Sequence, residues 1–196
     1  LHDALPICGH GQLTEALLRA GHKVVLQGSD EKCFRRTKHL QEQYPGKLTF
    51  LKSSVIDIPV SNRSFDLVIA IRLIAHVVLW KDLIKEMTRI SKRYVIVDFA
   101  PTNSFNCLYK ILFKFKKMAE GNTRTFLRHS KKELEETFRQ NQFAVKAAIP
   151  EFFLPLVVHR VAKMPRVSAC LEFICIVIGL TQKFGSPIIA LAETIE

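Results

Sequence analysis

Apolar residues recur along this chain with two periods that exchange places. At 12–20 Leu13, Ala16, Leu17 and Ala20 share one helical face, and at 23–27 Val24, Val25 and Leu26 form a short apolar run suited to a buried parallel strand. Cys33, Thr37, Leu40 and Tyr44 return at helical spacing, and the Pro45-Gly46 turn closes that helix ahead of a strand at 48–51. A polar loop containing Ser61, Asn62, Arg63 and Ser64 leads to a strand at 65–71. Leu79, Leu83, Met87 and Ile90 mark a helix, and 94–99 the strand after it. A helix is expected at 105–118. Ser130 and Glu133 form a capping box for a helix carrying Leu134 and Phe138. A strand follows at 143–149. Val167, Cys170, Leu171, Ile174, Cys175 and Ile178 outline one further apolar helix, and Gly185, Ser186 and Pro187 turn into a last strand at 188–192. Strands alternating with helices, without repeats or low-complexity tracts, predict a doubly wound, mostly parallel α/β sheet.

Residues 1–7 break this pattern. A strand entering such a sheet should be a Val/Ile/Leu run, yet His2, Asp3 and Pro6 stand there, and proline is disfavoured in central strands. The expectation is a single domain over 8–196 preceded by a non-native leader at 1–7, with the first strand missing or replaced by truncation. Losing that strand would leave backbone groups of both neighbours unpaired, and with them cofactor affinity.

The 196 residues suit one domain, and 48% hydrophobic content agrees with a folded core. The longest apolar run, at 173–180, is shorter than the roughly 18 residues a membrane span needs. Five cysteines without a CxxC pair fit free thiols in a reducing compartment; a cytoplasmic location and no structural metal are expected. The net charge of +11 is concentrated between 110 and 132, where Lys110, Lys114, Lys116, Lys117, Arg124, Arg128, Lys131 and Lys132 face only Glu120. That stretch is either a solvated face or a contact for an anionic ligand or a membrane surface.

The chemistry centres on the glycine loop Cys8, Gly9, His10, Gly11 and on Asp30. Glycines let backbone approach a ligand closely, and 19 residues separate Gly11 from Asp30, near the spacing of about 20 at which a carboxylate meets the ribose hydroxyls of a bound nucleoside. That role outweighs a plain helix N-cap, which aspartate also favours. A dinucleotide loop would place glycine at position 14, where Thr14 stands, which disfavours a nicotinamide oxidoreductase.

The segments CGHGQLTEAL, VVLQGSD, SSVIDIPVSNRSFDLVIA, LIAHV, LIKEMTRISKRYVIVDF and GSPIIALAE together resemble the class I S-adenosylmethionine-dependent methyltransferases, in their small-molecule branch. The resemblance implies a seven-stranded sheet closed by an antiparallel strand, with S-adenosylmethionine as cofactor. It places Cys8, Gly9 and Gly11 against the methionine portion, with Ile7 where that family has its first glycine and Leu5 where it has an acid. It gives Asp30 the ribose and Ser54, where many members have aspartate, the adenine amino group; Val55 would offer its N–H to the adenine ring. Ile71 would face the cofactor, Arg72 an anionic acceptor, and His76 would serve as a base, its unperturbed pKa near 6.5 suiting neutral pH. Arg72 as a surface residue and His76 as a packed one remain open. The acceptor implied is a small or lipid-like molecule, since no Asn-Pro-Pro-Tyr type segment follows the fourth strand and no nucleic-acid partner is required. The alternative is a catalytically degenerate module of the same shape that binds RNA or acidic membrane through 110–132.

Overall fold

The computed structural model describes residues 3–7, 12–104, 127–154 and 165–195. In chain order the elements are β1 (Asp3–Ile7), α1 (Gln12–Arg19), β2 (Lys23–Gly28), α2 (Glu31–Gln43), β3 (Leu48–Lys52), β4 (Phe65–Ala70), a 3-10 turn (Ile74–His76), α3 (Trp80–Ile90) and β5 (Ser91–Phe99). Then come α4 (Lys131–Gln140), β6 (Phe143–Pro150), α5 (Pro165–Val177), α6 (Leu180–Phe184) and β7 (Ile188–Thr194). The helix expected at 105–118 lies outside the described residues. The strands form one seven-stranded sheet in the order β3-β2-β1-β4-β5-β7-β6, parallel except for β7, which runs antiparallel to both its neighbours. This is the doubly wound arrangement that the alternating periods predict.

Side chains on successive strand positions point to opposite faces, and the sheet buries both. On one face Leu5 and Ile7, Val68 and Ala70, Val95 and Val97 pack under Leu83, Ile84, Met87 and Ile90 of α3 and Leu134 and Phe138 of α4. On the other, Val24, Leu26 and Leu48 meet Leu18 of α1 and Leu40 of α2, while Ala4, Leu67 and Ile69 form a smaller cluster beside Leu17. Ser130 caps α4 as its capping box predicts, its Oγ accepting from Glu133 N–H at 3.0 Å.

Of the two alternatives for the first strand, missing or replaced, the structure shows that its place in the sheet is filled. Residues 3–7 occupy its place between β2 and β4, with Leu5 and Ile7 fully buried. Pro6 is tolerated for a specific reason. Pairing with β4 runs without interruption from Ala4↔Leu67 to Ile7↔Ala70, whereas pairing with β2 is registered at Asp3, Ala4 and Ile7 and passes over Leu5 and Pro6. The missing N–H therefore falls where the ladder is already interrupted.

The polar loop between β3 and β4 is tied to α3 by one ion pair. Glu86, nearly buried, accepts from Ile58 N–H at 2.7 Å and pairs with Arg89. Arg89 in turn donates to the carbonyls of Ile58 and Val60 and to Asn62 Oδ1 at 2.7–2.9 Å. The hydrogen bonds from Arg89 hold the Glu86 carboxyl below its ordinary pKa, against the opposing effect of burial.

α5 departs from the face its apolar spacing suggests. Its buried residues are Ser168, Glu172 and Cys175, while Val167, Leu171, Phe173, Ile174, Ile176 and Val177 stand exposed. Glu172 turns inward because it has work there, accepting from the N–H groups of Phe153 and Leu154 at 3.0 and 2.8 Å. The chain after β6 is further fixed by Glu151 N–H to Pro187 O and Ser186 N–H to Phe152 O. Gly185 sits in this clamp, where an added Cβ would fall on the Thr181 carbonyl oxygen and within 2.8 Å of Pro150 Cβ. Gly185→Ala should therefore cost about 1–3 kcal/mol through overpacking alone, since the backbone at φ −65° accepts any residue. A melting temperature equal to that of the unsubstituted protein would show that the clamp yields.

Candidate functional site

In an open parallel sheet the carboxyl ends of the strands form the edge at which ligands bind. Here that edge is made by Ile7, Gly28, Lys52, Ala70 and Phe99, continued by the end of β6 at Pro150 and the start of β7 at Ile188. The loop Cys8, Gly9 and Gly11 lies outside the described residues, between the end of β1 and the start of α1 at Gln12.

Asp30 is exposed, two residues beyond β2, and caps α2: its Oδ1 accepts from Lys32 N–H at 3.1 Å with its own backbone extended. That bond engages one carboxylate oxygen and keeps the group at the mouth of the edge. Ser54 follows β3, exposed, its Oγ accepting from Ile56 N–H at 3.4 Å in a short bridge with Asp57. Val55 is half-buried against the core. Next to this turn Gln27 is fully buried, donating from Nε2 to Ser53 O at 2.7 Å, while its Oε1 has no hydrogen-bond partner among the described residues. Ile71 is half-buried just past β4.

Arg72 and His76 are both exposed, on the segment that leaves β4. Arg72 has a left-handed backbone, φ 61°, and its N–H donates to Asp98 Oδ1 at 2.5 Å. Asp98, near the end of β5, is 7% exposed. Burial pushes its carboxyl above the ordinary aspartate range, while the Arg72 N–H and the charges of Arg72 and His76 pull the other way. Glu151, just past β6, is raised too, first by burial and then by the charge of Asp98, with Arg72 opposing. The structure thus gathers Arg72, His76, Asp98 and Glu151 at one end of the edge, next to the Ile71 segment.

Asp98 and Glu151 were not singled out by the sequence motifs. A signal for Asp98 was present, since it is an acid near the carboxyl end of an otherwise apolar strand, Val95, Ile96 and Val97 preceding it. His129 is a second residue of this kind. It is buried against the Trp80 ring at a centroid distance of 4.4 Å, and its backbone N–H joins Ala100 O. A groove lined by Arg63, Asp82, Lys85 and Gln142 lies at the opposite edge, where β4, β5 and β6 begin, away from all these groups.

The residues present fit an adenosyl cofactor by their chemistry. A carboxylate at Asp30 suits vicinal hydroxyls, the Ser54 hydroxyl and the orphaned Gln27 Oε1 are acceptors suited to a ring amino group, and Val55 and Ile71 are apolar side chains suited to the faces of such a ring.

A family model for methyltransferase domains matches residues 7–97. Among solved structures, magnesium protoporphyrin IX methyltransferase from Synechocystis with bound S-adenosylhomocysteine is 18% identical with a TM-score of 0.68, covering 99% of this chain and 74% of that one. A S-adenosylmethionine-dependent methyltransferase from Methanosarcina mazei is 16% identical with a TM-score of 0.68, covering 98% and 92%. The 1,6-didemethyltoxoflavin-N1-methyltransferase of Burkholderia thailandensis, 11% identical with a TM-score of 0.65, covers 99% and 71%. No curated protein matches the sequence.

Proposed function

We propose that the protein is an S-adenosylmethionine-dependent methyltransferase of the class I kind, a reading supported by the family-model match over residues 7–97 and by the fold shared with such enzymes, and that it methylates a small-molecule or lipid-like acceptor at the carboxyl edge of its sheet. The observation that supports the reading is that Asp30, Ser54, Val55 and Ile71 each stand just past the carboxyl end of a parallel strand, β2, β3 or β4, of one sheet in which β3, β2, β1 and β4 are neighbours. When bound, the cofactor supplies a methyl group on an activated sulfonium. The work left to the chain is to hold, align and keep dry. Asp30 would orient the ribose, Ser54 and Val55 the adenine, and the backbone of Gly9 and Gly11, with Cys8, the methionine end. Alignment of this kind supplies roughly 7–11 kcal/mol of a displacement barrier.

The acceptor side is formed by Arg72, His76, Asp98 and Glu151. His76, which is exposed, would take a proton from an acceptor that must lose one, a contribution of about 10²–10⁴-fold. Arg72 already stands among two carboxyls, which supports a neutral or cationic acceptor group more than an anionic one. A lipid-like acceptor, or contact with a membrane surface, is supported by the exposed apolar residues of α5. Among the described residues no helix is long and apolar enough to cross a membrane.

Asp30→Ser separates the two roles of that residue, because serine also caps helices but carries no charge. The expected outcome is unchanged thermal stability with affinity for S-adenosylhomocysteine, measured by calorimetry, reduced about tenfold to a hundredfold, the worth of hydrogen bonds to a charged group. Undiminished affinity would leave Asp30 a cap alone. Failure of the unsubstituted protein to bind S-adenosylhomocysteine at all would remove the methyltransferase reading itself.

A further inference from the structure

Beyond β4 the chain makes an unusual turn. A side-chain-bearing residue, Arg72, takes the left-handed conformation that glycine ordinarily supplies, with φ 61°. The pairing of β4 with β5 ends at Ala70↔Val97, so the next N–H groups of this segment have no strand partner from that ladder. The Asp98 carboxylate takes over, accepting Arg72 N–H at 2.5 Å across 26 positions of sequence. It does so from a nearly enclosed place, at 7% exposure, on β5 between β4 and β7.

The groups that face this carboxyl come from three elements. Arg72 and His76 approach from the segment after β4, and Glu151 from the end of β6. Glu151 is itself held by its N–H to Pro187 O, while Glu172 grips the next turn of the same loop. The carboxylate therefore sits where two independently anchored segments meet, and fixes the one that carries Ile71, Arg72 and His76.

We propose that Asp98 is a positioning residue for methyl transfer: by accepting the Arg72 N–H it holds residue 72 left-handed, and so sets where Ile71 and His76 stand toward cofactor and acceptor. This rests on the function proposed above. It differs from a merely structural role in requiring the hydrogen bond and the backbone conformation, and not the negative charge. Asparagine retains an oxygen at the same place, and glycine at 72 adopts the left-handed turn without help.

The test compares Asp98→Ala, Asp98→Asn and the double variant Asp98→Ala with Arg72→Gly, using S-adenosylhomocysteine as the probe. Asp98→Ala should weaken binding about tenfold to a hundredfold, the scale on which a small misplacement of an aligned group is felt. Asp98→Asn should remain within about threefold of the unsubstituted protein, and the glycine at 72 should recover most of what Asp98→Ala loses. Exchange of the Arg72 amide hydrogen gives a readout independent of any ligand: slow in the unsubstituted protein and in Asp98→Asn, fast in Asp98→Ala. Undiminished affinity in Asp98→Ala overturns the proposal, as does a double variant no better than the single one. If the unsubstituted protein fails to bind the probe while the amide still responds, the methyltransferase reading falls and the backbone hold stands.

Discussion

Arg89→Ala is expected to lower stability by about 3 kcal/mol, near the low end for breaking a buried ion pair because Arg89 keeps some exposure. The loss has two parts. Glu86 is left nearly buried with its charge uncompensated, and the carbonyls of Ile58 and Val60 lose their donor. For a chain of this size the melting temperature should fall by roughly 6–12 °C. Arg89→Lys should recover only a fraction, since an ammonium cannot span Glu86, Asn62 and two carbonyls together as the guanidinium does. The acid side follows in sign. Because the folded state depresses the Glu86 pKa, the stability it contributes is present above the usual carboxylate range and is lost as pH falls through the depressed value. In Arg89→Ala that portion of the acid dependence should shrink, and an acid titration unchanged by the substitution would refute the assignment.

Phe138→Ala should have an effect as large, about 3–5 kcal/mol. Phe138 is fully buried on α4 and belongs to the cluster that joins α3, α4 and the strands. Removal of the ring leaves a void flanked by elements that cannot all collapse into it, since α3 is also tied to the 58–62 loop. Chemical denaturation would read the loss as a lower midpoint at unchanged slope. A loss below about 1 kcal/mol would mean that α4 packs less tightly than its burial indicates.

Both substitutions touch features that the sequence shows to different degrees. Phe138 is legible, because Ser130 and Glu133 start the helix and Leu134 and Phe138 are four apart on one face. The alternation of strands and helices is legible for the same local reasons, and it yields the parallel sheet. What escapes is set by contacts between distant positions. Pro6 argues against a strand until the register shows that the β2 ladder passes over it. On α5 the apolar spacing selects Val167, Leu171 and Ile174, while the buried stripe follows Glu172, whose partners Phe153 and Leu154 lie 19 and 18 residues away.

The candidate site divides likewise. Asp30, Ser54, Val55 and Ile71 can be found by reading from strand ends, because each stands close to one. Asp98 meets Arg72 only once β4 and β5 are side by side, and Glu151 joins them only through β6. Cys8, Gly9 and Gly11 lie outside the described residues, as does the 110–126 part of the basic stretch at 110–132.

The placement of β7 between β5 and β6 sets an order of assembly. During synthesis β5 and β6 emerge with no partner between them, and both keep an open hydrogen-bonding edge until 188–194 have been made. A nascent chain stalled before Ile188 would carry a half-finished sheet prone to pairing with other chains. β7 acts as a keystone, since it alone joins β6 to the rest of the sheet among the described strands.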